Sequence, residues 1–148
     1  MFSRQKGCMY TGYEYIWELD ACLQFTTVRQ TWNESQQQCQ DEKGGLLVVE
    51  SLRKESYFMP YLMQIYALTN KPSRWIGGTD EAVEGNFRWI NGHNVTYSNW
   101  ENGQPDDMSG NLTNADCLRY TVSGFTAKWN DFDCGGLSHS ICENKEFL

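Results

Sequence analysis

Six cysteines, Cys8, Cys22, Cys39, Cys117, Cys134 and Cys142, constrain this chain more than any other feature. None forms a Cys-x-x-Cys pair, and two histidines are too few to complete a Cys/His zinc cluster, which needs four soft ligands at short spacings. An even count at wide spacing reads instead as three disulfides. Disulfides persist in oxidising compartments, so the chain is expected to be secreted or part of an ectodomain. Three Asn-x-Ser/Thr sequons, at Asn33, Asn94 and Asn111, are glycosylation candidates and agree with that compartment. With 148 residues the chain can bury a substantial core as one domain, read here as residues 7–148 behind a polar tail over 1–6. Its net charge of -7 argues against nucleic acid and suits a cation. No apolar run reaches the length of a membrane span.

The patterning predicts two helices followed by a strand-rich half, an α+β arrangement. A strand is expected over 20–28. Thr31 and Glu34 stand in capping-box relation and open a helix with Trp32, Ser35 and Cys39 on one face. Gly44-Gly45 ends it, and Leu46 to Val49 reads as a short buried strand. Ser51 caps a second helix to about Leu68, with Leu52, Phe58, Tyr61, Leu62 and Ile65 as its apolar stripe. Pro60 lies inside it and should kink or interrupt it. Further strands are expected at Arg74–Gly77, Phe87–Ile90, Cys117–Thr121, Ala127–Trp129 and His139–Glu143. Between them, 98–115 is polar and rich in Gly, Pro, Asn and Asp. So long a loop in a compact domain is usually functional or disordered.

That loop carries Gln104-Pro105-Asp106, and Trp129-Asn130-Asp131 follows it. Each tripeptide offers two oxygen-bearing side chains, together half of a cage for a hard cation such as Ca2+, which takes six to eight oxygen ligands. These motifs, with Trp75-Ile76-Gly77-Gly78, Trp129-Asn130-Asp131-Phe132-Asp133-Cys134 and Ile141-Cys142-Glu143, resemble the C-type lectin-like domain over about 7–148. The resemblance implies two helices packed on antiparallel sheets, a long ligand-binding loop, and the pairs Cys8–Cys22, Cys39–Cys142 and Cys117–Cys134.

It also implies a Ca2+ that binds sugar directly, held by Gln104, Asp106, Asn130 and Asp131, with Met108 beside the sugar. A second, auxiliary Ca2+ would use Asp80, Glu84, Asp107 and Asp116. Gln-Pro-Asp is the galactose-type motif, so the function implied is a secreted, Ca2+-dependent lectin for terminal galactose or N-acetylgalactosamine. Alternatives are mannose-type sugars, or a Ca2+-independent interaction module on the same surface. The chain departs from the family at Ala115, where a Glu is usual, and at Met108, where galactose-type members often carry Trp. Trp100 and Phe125 are further aromatic candidates, Trp100 more as packing than as platform. Partners are then glycans or glycoproteins, with no nucleic acid, no membrane span and a homo-oligomer as an open option. An enzyme built on Asp106 and Asp107 is disfavoured, because glycosidase chemistry needs two carboxyls facing across a cleft. No nucleophile–base arrangement stands out; His93 reads as a loop residue and His139 as a strand-surface residue.

Overall fold

The architecture comes from a computed structural model, which describes residues 6–105 and 116–148. Strands β1 (Glu14–Ile16) and β2 (Ala21–Phe25) form a hairpin around a short 3-10 turn. Helix α1 (Trp32–Asp41) follows, then β3 (Gly45–Leu46) and helix α2 (Leu52–Thr69). The second half holds β4 (Ser73–Thr79), β5 (Arg88–Trp89), β6 (Asp116–Ser123), β7 (Thr126–Asp133) and β8 (His139–Asn144). The strands pair in the order β1-β2-β8-β4-β6-β7, with β3 beside β8 and β5 beside β4. All pairings are antiparallel except β4 with β8, which aligns Arg74 with His139 and Trp75 with Ser140. Strand β7 is therefore an edge of the sheet.

Local sequence explains the helix boundaries. The Thr31 hydroxyl accepts from the Glu34 amide at 3.2 Å and the Thr31 amide donates to the Glu34 carboxylate at 2.9 Å, so both orphan donors of the capping box are met. Ser51 caps α2 by accepting from the Lys54 amide, and Asn70 closes it in the left-handed conformation at φ 56°. Pro60 does not interrupt α2, which runs unbroken across it. The hydrogen bond that proline removes belongs to the carbonyl of exposed Ser56, which water can satisfy. Leu52, expected on the buried stripe, is exposed; the buried residues of α2 are Glu55, Phe58 and Leu62.

Two apolar clusters flank the sheet. The larger joins Phe58 and Leu62 of α2 to Ile76, Trp89, Leu118, Tyr120 and Trp129. The smaller sets Trp32, Cys39 and Leu46 against Trp75, Cys117 and Cys142. Gly77 makes the join between the layers close. A Cβ there would stand 2.8 Å from the Leu46 carbonyl oxygen, and the Gly77 amide donates to the Leu47 carbonyl. The turn between β6 and β7 is a two-residue loop, Gly124-Phe125, with Gly124 at φ 61° as a type II′ hairpin requires.

All three disulfides implied by the resemblance are formed: Cys8–Cys22, Cys39–Cys142 and Cys117–Cys134. Cys39–Cys142 ties α1 to β8 across 103 residues of sequence. In the chain-entropy picture, a loop of that length lowers the freedom of the unfolded chain by about 4.7 kcal/mol. Replacing both Cys39 and Cys142 by Ala should lower the free energy of unfolding by about 2–5 kcal/mol. Urea denaturation monitored by tryptophan fluorescence would measure it; an unchanged midpoint would show that the bridge carries no such weight.

Candidate functional site

The loop that begins at Tyr97 docks along the exposed edge of β7. Trp100 pairs with Trp129 as an isolated parallel bridge. The Trp129 amide donates to the Asn99 carbonyl, the Glu101 amide to the Trp129 carbonyl, and the Gln104 amide to the Glu101 carbonyl, each within 2.9 Å. These bonds bring Gln104 to the same strand that carries Asn130 and Asp131. The Gln104–Pro105 peptide bond is cis.

Packing reinforces the docking. The Trp129 ring is fully buried and meets Trp89, Trp100, Tyr97 and Tyr120 edge to face, at centroid distances of 5.4, 5.9, 6.0 and 6.3 Å. Edge-to-face pairs of this kind place ring hydrogens against ring faces and add to the area they bury. Trp100 also packs against Phe87 at 5.2 Å, so it serves the loop's anchorage. Phe125 stands apart at the hairpin turn, 98% exposed.

Sequence reasoning missed Glu55. This carboxylate is 4% exposed and accepts from the hydroxyls of Tyr97 and Tyr120 and from the Asn99 side-chain amide. It lies one turn ahead of Phe58 on α2, so the helical period could have flagged it as buried; its acidic type argued the other way. The three donors make its burial tolerable, and two of them belong to the root of the site loop. Burial and the adjacent Glu55 carboxylate push the Tyr97 and Tyr120 phenols well above their usual range.

Two candidate ligands of the sugar-binding cation differ in environment. Asp131 is 2% exposed and Asn130 is half-buried on the neighbouring position of β7. The Asn130 carbonyl oxygen already accepts from Arg119 Nε and from the Thr121 hydroxyl, each at 3.1 Å. Asp106 and Met108, with Asp107 of the auxiliary set, the Asn111 sequon and Ala115, lie outside the described residues.

The other three auxiliary candidates do come together. Oxygens of Asp80, Glu84 and Asp116 lie within 4.8 Å of one another, with Asp80 and Asp116 buried. The arrangement is held by backbone: Asp80 accepts from the Asp116 and Gly85 amides at 2.9 and 3.0 Å. Three converging carboxylates with only oxygen donors suit a hard cation such as Ca2+. A second grouping, Glu81 with Cys117 and Cys134, offers no thiolate because the cysteines are bridged. The Asn33 and Asn94 sequons are both exposed. His139, expected on a strand surface, is 8% exposed instead.

Comparison with known proteins agrees with this architecture. The lectin C-type domain profile matches residues 28–144. The chain therefore belongs to the C-type lectin domain family. An alpha-N-acetylgalactosamine-specific lectin of Patiria pectinifera is 31% identical over 127 residues, covering 82% of this chain and 73% of that protein. The crystal structure of C-type lectin CEL-I from Cucumaria echinata superposes with a TM-score of 0.76 at 26% identity, covering 90% of this chain and 95% of that one. The Ca2+-independent C-type lectin SPL-2 from Saxidomus purpuratus gives 0.74 at 26% identity, covering 92% and 93%. Other curated relatives are longer: this chain spans 54%, 29% and 40% of three of them. Among the described residues, no helix is long and apolar enough to cross a membrane.

Removing the Glu55 carboxylate should loosen the site from beneath. Glu55→Ala takes the acceptor from the buried Tyr120 hydroxyl and from the half-buried Tyr97 and Asn99 donors and should cost about 3 kcal/mol of stability, read by chemical denaturation. The tyrosines give a pH signature as well. Their folded pKa values lie above the unfolded value near 10, so their contribution is complete below about pH 10 and is lost as pH rises further. Unfolding free energy should thus decline above about pH 10. The decline should be shallower in Tyr120→Phe; an identical slope would remove Tyr120 as its source.

Proposed function

We propose that residues 7–148 are an extracellular carbohydrate-recognition domain that binds terminal galactose or N-acetylgalactosamine through Ca2+. The single observation that carries this is the docking of the Gln104 loop along the β7 edge, beside Asn130 and Asp131. It delivers an amide and a carboxylate from separate parts of the chain to one edge, with the Gln-Pro-Asp order of galactose-type members. The name of the Patiria pectinifera relative supports the same sugar class. Gln104, Asp106, Asn130 and Asp131 would hold the cation and the sugar hydroxyls, with Met108 against the sugar. The ion supplies a hard Lewis acid on which two neighbouring hydroxyls replace water. Asp80, Glu84 and Asp116, with Asp107, would hold an auxiliary Ca2+ that steadies the loop ends. The three disulfides support secretion or an ectodomain, and the role is binding rather than catalysis. Homo-oligomerisation would add avidity to weak single sites.

A second reading is favoured by Asn130. Its carbonyl oxygen is committed to Arg119 and Thr121, and Ala115 takes away a carboxylate usual in the family. Both features favour sugar or protein recognition without Ca2+ on the same surface, and SPL-2 is a Ca2+-independent member of this fold.

A glycan array probed with Ca2+ and again with chelator separates the two. The first reading expects galactose-series signals that vanish with chelator and in Asp131→Ala. Exchanging the pair as Gln104→Glu with Asp106→Asn should move preference toward mannose-type sugars. Signals that persist in chelator establish the second reading, and an array blank under both conditions removes sugar binding altogether.

A further inference from the structure

At the end of the sheet opposite the acidic cluster lies a cleft of about 710 Å³. It opens at Ser73, where β4 begins, whereas Asp80 follows the end of β4. Seven residues of strand put Ser73 and Asp80 roughly 20 Å apart, while Arg119 of the lining stands three residues along β6 from Asp116. Its lining includes Arg29, Lys71, Arg119 and His139 together with Ser73 and Ser138, and no carboxylate. That composition is out of keeping with a chain of net charge -7.

Each cation is placed by structure. The Arg119 guanidinium lies 3.9 Å from the Phe132 ring centroid, and its Nε is tethered to Asn130. Its terminal nitrogens have no hydrogen-bond partner among the described residues. Arg29 and Lys71 are exposed at the rim and belong to no ion pair among the described residues. Beneath the floor, Arg74 is 2% exposed and spends one nitrogen on the Thr26 and Ser140 carbonyls, with no carboxylate partner among the described residues. Burial lowers its pKa to about 10. His139, paired with Arg74 across the strands, has its pKa depressed by burial and by the charges of Arg74, Lys71 and Arg29. Like charges are thus held together with no carboxylate in the cleft lining, and the charge of Glu101 reaches Arg119 from outside it. Ser138 adds an independent sign: it is 2% exposed, lines the cleft, and its hydroxyl has no hydrogen-bond partner among the described residues. Buried hydroxyls are seldom left so.

We propose that this cleft is a second binding site, for a tetrahedral oxyanion: a sulfate or phosphate group, free or as a monoester on a small sugar. The Arg119 fork is pre-oriented by stacking and presents parallel N–H donors of the geometry such an anion accepts. Arg29 and Lys71 close over it as point charges, and the Ser138 hydroxyl gains the partner it lacks. The volume is that of a small-molecule site, large enough for the sugar as well as the anion. No divalent cation is involved, and the site meets the galactose reading only at Asn130, which tethers Arg119.

Titration calorimetry on the full chain in chelator tests it, with inorganic sulfate, inorganic phosphate, glucose 6-sulfate, glucose 6-phosphate and glucose as probes. Saturable binding of the anions, weakening with added salt, and none of glucose is expected. Arg29→Ala with Lys71→Ala should weaken binding by about tenfold or more while leaving the melting temperature unchanged. Asp131→Ala should leave it as it is. Tighter binding of an ester than of its inorganic anion assigns the sugar ester as ligand; equal binding assigns the free anion. Absence of anion binding, equal binding of glucose, or full binding by the Arg29/Lys71 double variant overturns the proposal.

Discussion

Trp129 is the contact on which the candidate site depends. It is a strand residue that stands opposite Tyr120 of β6 while its amide and its carbonyl both bond the incoming loop. An edge strand ordinarily leaves its outward amides and carbonyls open to pairing with any chain. Here Asn99 and Glu101 take them, so the edge is capped by the segment that carries the recognition motif. The buried indole below makes that capping specific, because four aromatic rings from β5, β6 and the loop converge on it. Shifting the loop by one residue would turn Trp100 away from Phe87 and Trp129. Register and packing therefore enforce each other, and Gln104 follows from an anchorage on Trp129, the residue before Asn130.

The sheet also separates charge. Strand β4 is followed at one end by the Asp80 carboxylate and opens at the other, at Ser73, on a cleft lined by Arg29, Lys71 and His139. Screening at physiological salt has a length of about 8 Å, so ends roughly 20 Å apart scarcely compensate each other. Each is met locally: Asp80 accepts from the Asp116 and Gly85 amides, and the charge of Glu101 acts on Arg119. The separation is intelligible if each end meets a ligand of opposite sign.

Much of the fold was legible in the sequence because its signals are local. Thr31 with Glu34 and Ser51 before the second helix each act through neighbours in the chain. The disulfide pairing was legible only through the resemblance, since spacing alone leaves it open. What escaped depends on tertiary neighbours. Glu55 reads as a surface acid until Tyr97, Asn99 and Tyr120 are brought to it from 42 or more residues away. His139 reads as a strand-surface residue until the Arg74 strand lies alongside. Leu52 sits at the first position of α2, where the helical period places it on the stripe but the sheet does not reach it. For the candidate site the motifs supplied only the expectation; the competing commitment of Asn130 had no signature in its own tripeptide.

That commitment bears on how strongly a cation could be held. A carbonyl oxygen has two lone pairs, and both of those on Asn130 meet donors, one of them charged. A Ca2+ drawing on the same oxygen must displace a hydrogen bond to Arg119, and it does so near a guanidinium that repels it. Half-burial strengthens that repulsion relative to water. With Ala115 in place of an acid, the cage has less negative charge to offset it. The ligand set proposed for this chain would thus operate beside a fixed positive neighbour. On the proposed reading, Ca2+ would have to compete with Arg119 for a single amide oxygen.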